Sequence, residues 1–336
     1  MIAKSTDTIA PVEISPISMV STHGSEFLTL NAEGFLGQWS ADLGYRNLFE
    51  TSVGGNSIAY SSQKRVAAVS GPEGIVLVHV PTGRMIKQVR GKWSATSRWN
   101  EDGTVLAVAY GKKLLLFSFE GTPLFTSEDL TSTATDISWL ADQTTIAVAT
   151  YGGVSIIDTS STAPTLKKEF IGSLLCLAVS PFGDWIVSGN QDASLQVFKV
   201  KDSTRLEMQG FQSKVTLAKF DASGLWLANN GAEEVTVWNF AGKGPKGRAP
   251  VLLPKQTNGA TAISWHPTQK GVVATGDGAG SVRLWDLELG VEGKPLLPRK
   301  TFGKVSTQEV RCITWSLAGS QITIAHADGA IYTVKF

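Results

Sequence analysis

Cysteine and histidine are scarce in this chain, neither sign of charge dominates, and no apolar run is long. Two cysteines, Cys176 and Cys312, in 336 residues leave no disulfide framework of the kind that staples small secreted domains. The four histidines, His23, His79, His266 and His326, lack any spacing that would gather them around a metal ion, so each is expected to be structural or solvated. No GxxxxGK[ST] phosphate loop, no Gly-x-Ser-x-Gly elbow and no cysteine with a histidine partner in sequence occurs. These absences argue against metal, nucleotide and nucleophile chemistry, and the expectation is a chain that is not an enzyme and carries no cofactor. Thirty Lys and Arg against 29 Asp and Glu give a net charge of +1, so no global field draws the protein to nucleic acid or an anionic membrane. Electrostatic recognition has to be local. The opening MIAKSTDTIA has no apolar leader, and no stretch approaches the roughly 18 apolar residues of a membrane span. A soluble, cytoplasmic protein without membrane insertion is expected.

What is present is repetition. An apolar strand, a turn rich in Gly, Asn or Asp, and a second apolar strand ending in a bulky residue recur eight times, from EFLTLNAEGFLGQWS at Glu26 to QITIAHADGAIYTVKF at Gln321. The closing residues are Trp39, His79, Phe117, Ile157, Phe198, Trp238, Trp285 and Val334, spaced 40, 38, 40, 41, 40, 47 and 49 apart. A period near 40 with hairpins inside it predicts an all-β closed propeller. Over the whole chain, eight repeats come to about 42 residues each, enough for eight four-stranded blades in one domain spanning residues 1–336, with nothing left for a second.

Ahead of each hairpin a short strand tends to end in an aromatic residue, as at Trp99, Trp139, Phe220, Trp265 and Trp315. Each repeat thus supplies an inner strand a, hairpin strands b and c, and a short, partly charged outer strand d such as GRMIKQV or TLKKEFI, suited to an edge. The two cysteines fall on inner strands of the fifth and eighth repeats, expected across the ring and beyond the Cα separation of about 7 Å that a disulfide allows. Residues after strand c of the eighth repeat end at Phe336, so its outer strand must come from elsewhere. The segment before Pro11, ahead of a first inner strand at roughly Val12 to Val20, is expected to pair with Ala330–Phe336 and close the ring. In the long sixth-to-eighth intervals, the Pro-bounded Leu-Leu phrases of AGKGPKGRAPVLLPKQ and VEGKPLLPRKTFGK are expected to be outer strands. Lys243, Lys246, Arg248, Lys255, Lys294, Arg299, Lys300 and Lys304 make these loops, 241–255 and 291–304, basic.

SGNQDASLQVFK and TGDGAGSVRLWDL resemble the strand-turn-strand signature of WD-repeat proteins, and TAISWHP resembles their inner strand. Only Trp285-Asp286 keeps the name-giving dipeptide. In that family a His, a Ser or Thr, a turn Asp and the strand-c Trp can form a hydrogen-bonded tetrad, but no repeat here has all four: Asp192 and Asp328 match the turn Asp, whereas the Trp285 repeat has Ala279 there. The resemblance implies a non-catalytic scaffold or adaptor that offers its loops to a protein or peptide, with a GTPase or a subunit of a larger complex among the partner classes. It also places the d-to-a loops and b-to-c turns on one docking face. Mapped onto that face, Arg90, Lys92, Trp93, Tyr110, Lys112, Lys113 and Tyr151 form a candidate partner-binding patch, with all three aromatics expected to be solvent-accessible. The alternative is that these are ordinary turn residues and solubilising lysines.

Two other function classes stand beside the scaffold. A propeller enzyme would need acids and histidines converging at the channel mouth. An RNA-associated scaffold would need the two basic loops to form one continuous patch. Arg98 and Lys219 occupy an inner-strand position where other repeats carry Ser138, Ala178, Ser264 and Thr314. A charge there needs a partner or water, either the channel or an interblade acid such as Asp136.

Overall fold

The computed structural model describes residues 10–11, 18–21, 26–40, 44–164, 166–254, 256–290 and 294–336. These residues fold into antiparallel β-sheets arranged as a propeller, with one short 3₁₀ turn, Leu287–Leu289. The alternation read from the sequence is realised in strands such as Val66–Gly71 and Gly74–His79, paired from Val66↔His79 to Gly71↔Gly74. The turn between them depends on Gly74 at φ 140°, where a Cβ would collide with the carbonyl oxygen of Val89 on the outer strand.

The number of blades differs from the expectation. Eight four-stranded blades are corrected to seven: the described residues form six sheets of four strands and one of six. The six-stranded sheet carries the fourth and fifth repeats. Its second strand, Thr145–Asp158, and its third, Leu166–Val179, each run for 14 residues through two strand positions. The Thr159 N–H donates to the Thr144 carbonyl at 3.0 Å, so the first of these doubles back on itself. Between Phe170 and Leu174 there is no Pro and no turn to separate the outer strand of one repeat from the inner strand of the next, and the strand runs on through a register shift between Glu169 and Ser173.

The core lies between successive repeats. One apolar cluster joins Leu28, Leu30 and Leu36 to Ala67, Val69, Val76 and Val78, and another joins Val272, Ala274 and Leu284 to Ile313, Ile322, Ile324 and Tyr332. Most of the closing residues serve this packing: Trp39, Ile157, Phe198 and Trp285 are buried. Each large aromatic hides roughly 150–250 Å², worth about 4–6 kcal/mol of transfer free energy at ~25 cal/mol per Å².

The inner strand of a sheet has no neighbour on its axial side, so its free backbone groups need other partners. Side chains of the adjacent repeat provide them. The indole N–H groups of Trp139, Trp265 and Trp315 donate to the carbonyls of Arg98, Lys219 and Ser264 at 3.0, 2.8 and 3.2 Å. Thr135 and Thr261 hydroxyls donate to the Leu174 and Val310 carbonyls at 2.7 Å each. Asp136 accepts the Leu177 N–H at 2.9 Å, and Ser18 accepts that of Ile58 at 3.2 Å. This explains the tendency of inner strands to end in Trp: the ring packs between blades, and the indole N–H reaches back across the seam.

First and last repeats meet in a cluster of Phe27 and Trp39 with Ala325 and Ile331. Ala10–Pro11 pairs antiparallel with Ala330–Lys335, with Ala10 opposite Ile331 and Pro11 opposite Ala330. Residues 1–9 and 12–17 lie outside the described residues, so the closing strand is seen in these two residues, and the expected first inner strand is seen as Ser18–Ser21. Deleting residues 1–11 is expected to expose the edge of the last blade and to cost about 1–3 kcal/mol, the worth of a pair of ladder hydrogen bonds. An unchanged denaturation midpoint and unchanged solubility would rule out this closure as a stabilising contact.

The first Pro-bounded Leu-Leu is an outer strand, Val251–Leu253. The second is not. Lys300–Thr301 pairs with Val282–Asp286 instead, while Pro295 bridges in parallel to Leu252 and the Leu296 N–H donates to the Leu252 carbonyl at 2.7 Å. Leu296 fills the core of the preceding repeat and Leu297 projects outward.

Candidate partner-binding face

A chain of backbone contacts gathers the d-to-a loops and b-to-c turns at one end of the disc. Gly91 N–H donates to the Glu73 carbonyl at 3.1 Å, Gly111 N–H to Trp93 at 2.8 Å, Leu130 N–H to Lys112 at 2.7 Å and Ala134 N–H to Gly111 at 2.8 Å. The Tyr151 N–H then donates to the Ser132 hydroxyl at 2.9 Å, and Gln191 N–H to the Ser173 carbonyl at 3.0 Å. The loops that present the candidate residues are thus tied to one another, and a rigid scaffold holds them.

The structure divides the candidate residues. Trp93 is 48% exposed and Tyr151 55% exposed, as expected of anchors. Arg90, Lys92 and Lys112 are exposed around them, with the Arg90 guanidinium donating to the Ser52 carbonyl at 3.1 Å. Lys113 is half-buried and pairs with Asp129 at 3.4 Å, so its charge is already engaged. Tyr110 departs from the expectation: it is only 9% exposed, packs with Ile75, Leu77 and Val108, and donates its hydroxyl to the Arg90 carbonyl at 2.6 Å. Burial raises its phenol pKa. It is the last residue of a strand, paired with Ser94 and Lys113, and its ring is part of the core.

Ile171 was not anticipated. It is 90% exposed, and it lies where Tyr151 pairs with Ser173, two residues on. The sequence holds a signal for it in Phe170-Ile171-Gly172, two bulky apolar residues in succession on a strand, which alternation must point to opposite sides. Phe170 is the buried one. Its exposed neighbour adds a branched aliphatic side chain beside Tyr151.

Other singled-out residues have ordinary explanations. His266 is buried, accepts the Thr268 and Gln269 N–H groups on Nδ1 at 3.2 and 2.9 Å, and sets Nε2 3.1 Å from the Gly319 carbonyl. His326 stacks on Tyr332, His79 bonds Thr82 at 2.9 Å, and His23 lies outside the described residues. Both cysteines are free, and burial pushes each thiol up to about 12, which makes them poor nucleophiles. In the basic loops, Arg248 is held by Asn239, Arg299 by Asp286 at 3.4 Å, and the Lys304 ammonium by the Ala279 carbonyl at 2.9 Å. Lys300 lies over the Phe302 ring, while Lys243, Lys246 and Lys294 are exposed. Lys255 lies outside the described residues. Arg98 reaches the acid named as its alternative partner, with Nη2 3.4 Å from Asp136 Oδ1.

Residues 165–199 and 251–286 match the model of the WD domain, G-beta repeat family. These windows contain SGNQDASLQVFK and all but the last residue of TGDGAGSVRLWDL. Within those two segments the β-propeller matches the WD-repeat model. Of the tetrad, Trp285 keeps one link, its indole N–H donating to the Thr275 hydroxyl at 2.8 Å. THO complex subunit 3 of Arabidopsis thaliana is 31% identical over 85 residues, which are 25% of this chain and 27% of that protein's length. Among solved structures, the computationally designed Ika8 protein superposes with a TM-score of 0.79 at 14% identity, over 97% of this chain and 98% of that one. The Dos1 propeller gives 0.76 at 14% identity over 97% and 93%. A chain of the Mitotic Checkpoint Complex gives 0.66 at 17% identity over 84% and 87%. At these identities the likeness is one of fold. No helix among the described residues is long and apolar enough to cross a membrane.

Proposed function

We propose that the protein is a non-catalytic scaffold that docks a protein or peptide segment on the end of the disc bearing the d-to-a loops and b-to-c turns of the third to fifth repeats. The observation that carries this reading is the exposure of Trp93 and Tyr151 on loops tied to one another and of Ile171 on the strand that pairs beside Tyr151, with Arg90, Lys92 and Lys112 around them. Large apolar side chains held in water at fixed positions gain free energy when a partner covers them, and Trp, Tyr and Arg dominate interface energetics. The basic surround favours a segment that alternates apolar residues with Asp or Glu. Membership of a larger assembly fits this reading, since two of the similar proteins bear the names of complexes, THO and the Mitotic Checkpoint Complex.

The test is affinity capture from the native cell by the full chain and its variants, followed by titration of the captured partner. Trp93→Ala and Tyr151→Ala are each expected to weaken binding by about 2 kcal/mol, with folding stability unchanged within about 0.5 kcal/mol. Capture that survives both changes would rule out this face. Loss of capture only on charge reversal at Lys243, Lys246 and Lys294, with ribonuclease sensitivity, would favour an RNA-associated scaffold.

A further inference from the structure

The inner strands converge on an axis with more positive charge than its own acids neutralise. Arg98 and Lys219 hold the same register position on their strands, opposite Ala107 and Ala228, where other repeats place Ala59, Ser138, Ala178, Ser264 and Thr314. The carbonyls of both accept an indole N–H from the next repeat, which fixes both residues on the free axial edge. The Lys219 ammonium interacts electrostatically with Arg98, Asp136, Cys176 and Cys312, side chains of the third, fourth, fifth and eighth repeats. A group that reaches four repeats at once lies near the ring axis. Both cationic side chains are nonetheless exposed to solvent, so this stretch of the axis is a channel open to water.

Asp136 is the carboxylate in that group, and it is committed. Its Oδ1 accepts the Ile137 N–H at 2.9 Å and faces Arg98 at 3.4 Å, while Oδ2 accepts the Leu177 N–H at 2.9 Å. Among the described residues no carboxylate lies within salt-bridge distance of Lys219. Two cations therefore share one anion, whose lone pairs also serve two backbone amides.

We propose that Arg98 and Lys219 form an oxyanion site in the central channel, filled by a phosphate-class ion or by a carboxylate that a partner chain inserts. Arg98 spends one edge of its guanidinium on Asp136 and keeps the remaining N–H donors, and Lys219 adds three more donors on a flexible stem. Between walls of low dielectric, two cations that share a single carboxylate keep a net positive charge, which attracts an anion more strongly than the same charge at an open surface. Desolvation, with repulsion from Arg98, pulls the Lys219 pKa down, and an oxyanion would reverse that effect. The site is independent of the partner-binding face.

Titration calorimetry of the full chain at constant ionic strength, with inorganic phosphate in one arm and a hexaglutamate peptide in the other, tests the proposal against chloride. Saturable binding in either arm is expected, about tenfold weaker or more in Lys219→Met. Saturation by phosphate alone assigns the ligand to the phosphate class, and saturation by the peptide alone to a partner carboxylate. A second measurement needs no variant: NMR of isotope-labelled lysines should show the Lys219 titration midpoint moving up when the ligand is added. No saturable binding in both arms, equal binding by Lys219→Met, or an unmoved Lys219 midpoint at saturation would each overturn the proposal.

Discussion

Replacing Asp277 with Ala is expected to cost about 3–5 kcal/mol of folding stability, the loss typical when one member of a buried ion pair is removed. Asp277 ends strand b of the seventh repeat and is fully buried. Its Oδ1 accepts the N–H groups of Ala279 and Ser281 at 3.0 and 2.8 Å, and its Oδ2 accepts Thr257 N–H at 3.2 Å and the Arg283 guanidinium at 2.8 Å. The Arg283 side chain is itself only 12% exposed. An Ala at 277 strands a buried cation and three amide groups together, and each unsatisfied group adds a desolvation penalty. The b-to-c turn would loosen with them, because Gly278 N–H ties it to the Gly259 carbonyl at 3.1 Å. Asp277→Asn should fall between: it retains one acceptor oxygen but turns an amide toward Arg283 or toward Thr257. The shift of the urea midpoint measures both changes, and a loss below about 1 kcal/mol for Asp277→Ala would show that water replaces the carboxylate.

Asp277 also shows what could and could not be read from the chain. The family pattern puts a turn Asp where this repeat has Ala279; the carboxylate two residues earlier caps the turn from the end of the strand. The period was legible because the closing residues are mostly core residues, and burial keeps them bulky and apolar at regular intervals. The blade count was not. Whether an outer strand and the following inner strand separate depends on the four peptide units from Phe170 to Leu174, which have no distinctive composition. The misplacement of Leu296-Leu297 has a similar origin, because a short apolar phrase between prolines suits an outer strand and equally suits a segment laid against the neighbouring blade. Arg98 and Lys219 were legible as exceptions, since a charge on an inner strand breaks the pattern of small residues. Their shared surroundings were not, since four repeats distant in sequence meet there. Ile171 escaped because an outer strand half exposed to solvent is expected to carry mixed side chains.

Tyr110→Ala is expected to unfold more of the protein's stability than either neighbouring aromatic, about 3–5 kcal/mol by analogy with buried aromatic truncations. Its position beside Gly111 suggests a turn, and an exposed anchor with little cost to folding would follow from that. The packing dictates the opposite. The ring fills the seam between the second and third repeats against Ile75 and Leu77, and the hydroxyl holds the Arg90 carbonyl at the end of the preceding outer strand. Removing only the hydroxyl separates these roles: Tyr110→Phe keeps the ring and should cost about 1 kcal/mol, the net worth of one hydrogen bond. Trp93 sits on the same loop as Arg90 and receives the Gly111 N–H on its carbonyl at 2.8 Å. Tyr110→Ala is therefore expected to weaken partner capture indirectly, by freeing the loop that presents Trp93, whereas Tyr110→Phe should bind almost as the native chain does. Urea midpoints and partner titrations on the three variants Tyr110→Ala, Tyr110→Phe and Trp93→Ala distinguish the roles. Should Tyr110→Ala keep its stability within about 0.5 kcal/mol while losing binding as completely as Trp93→Ala, Tyr110 would be a contact residue, and the seam would have to be held by the aliphatic side chains alone.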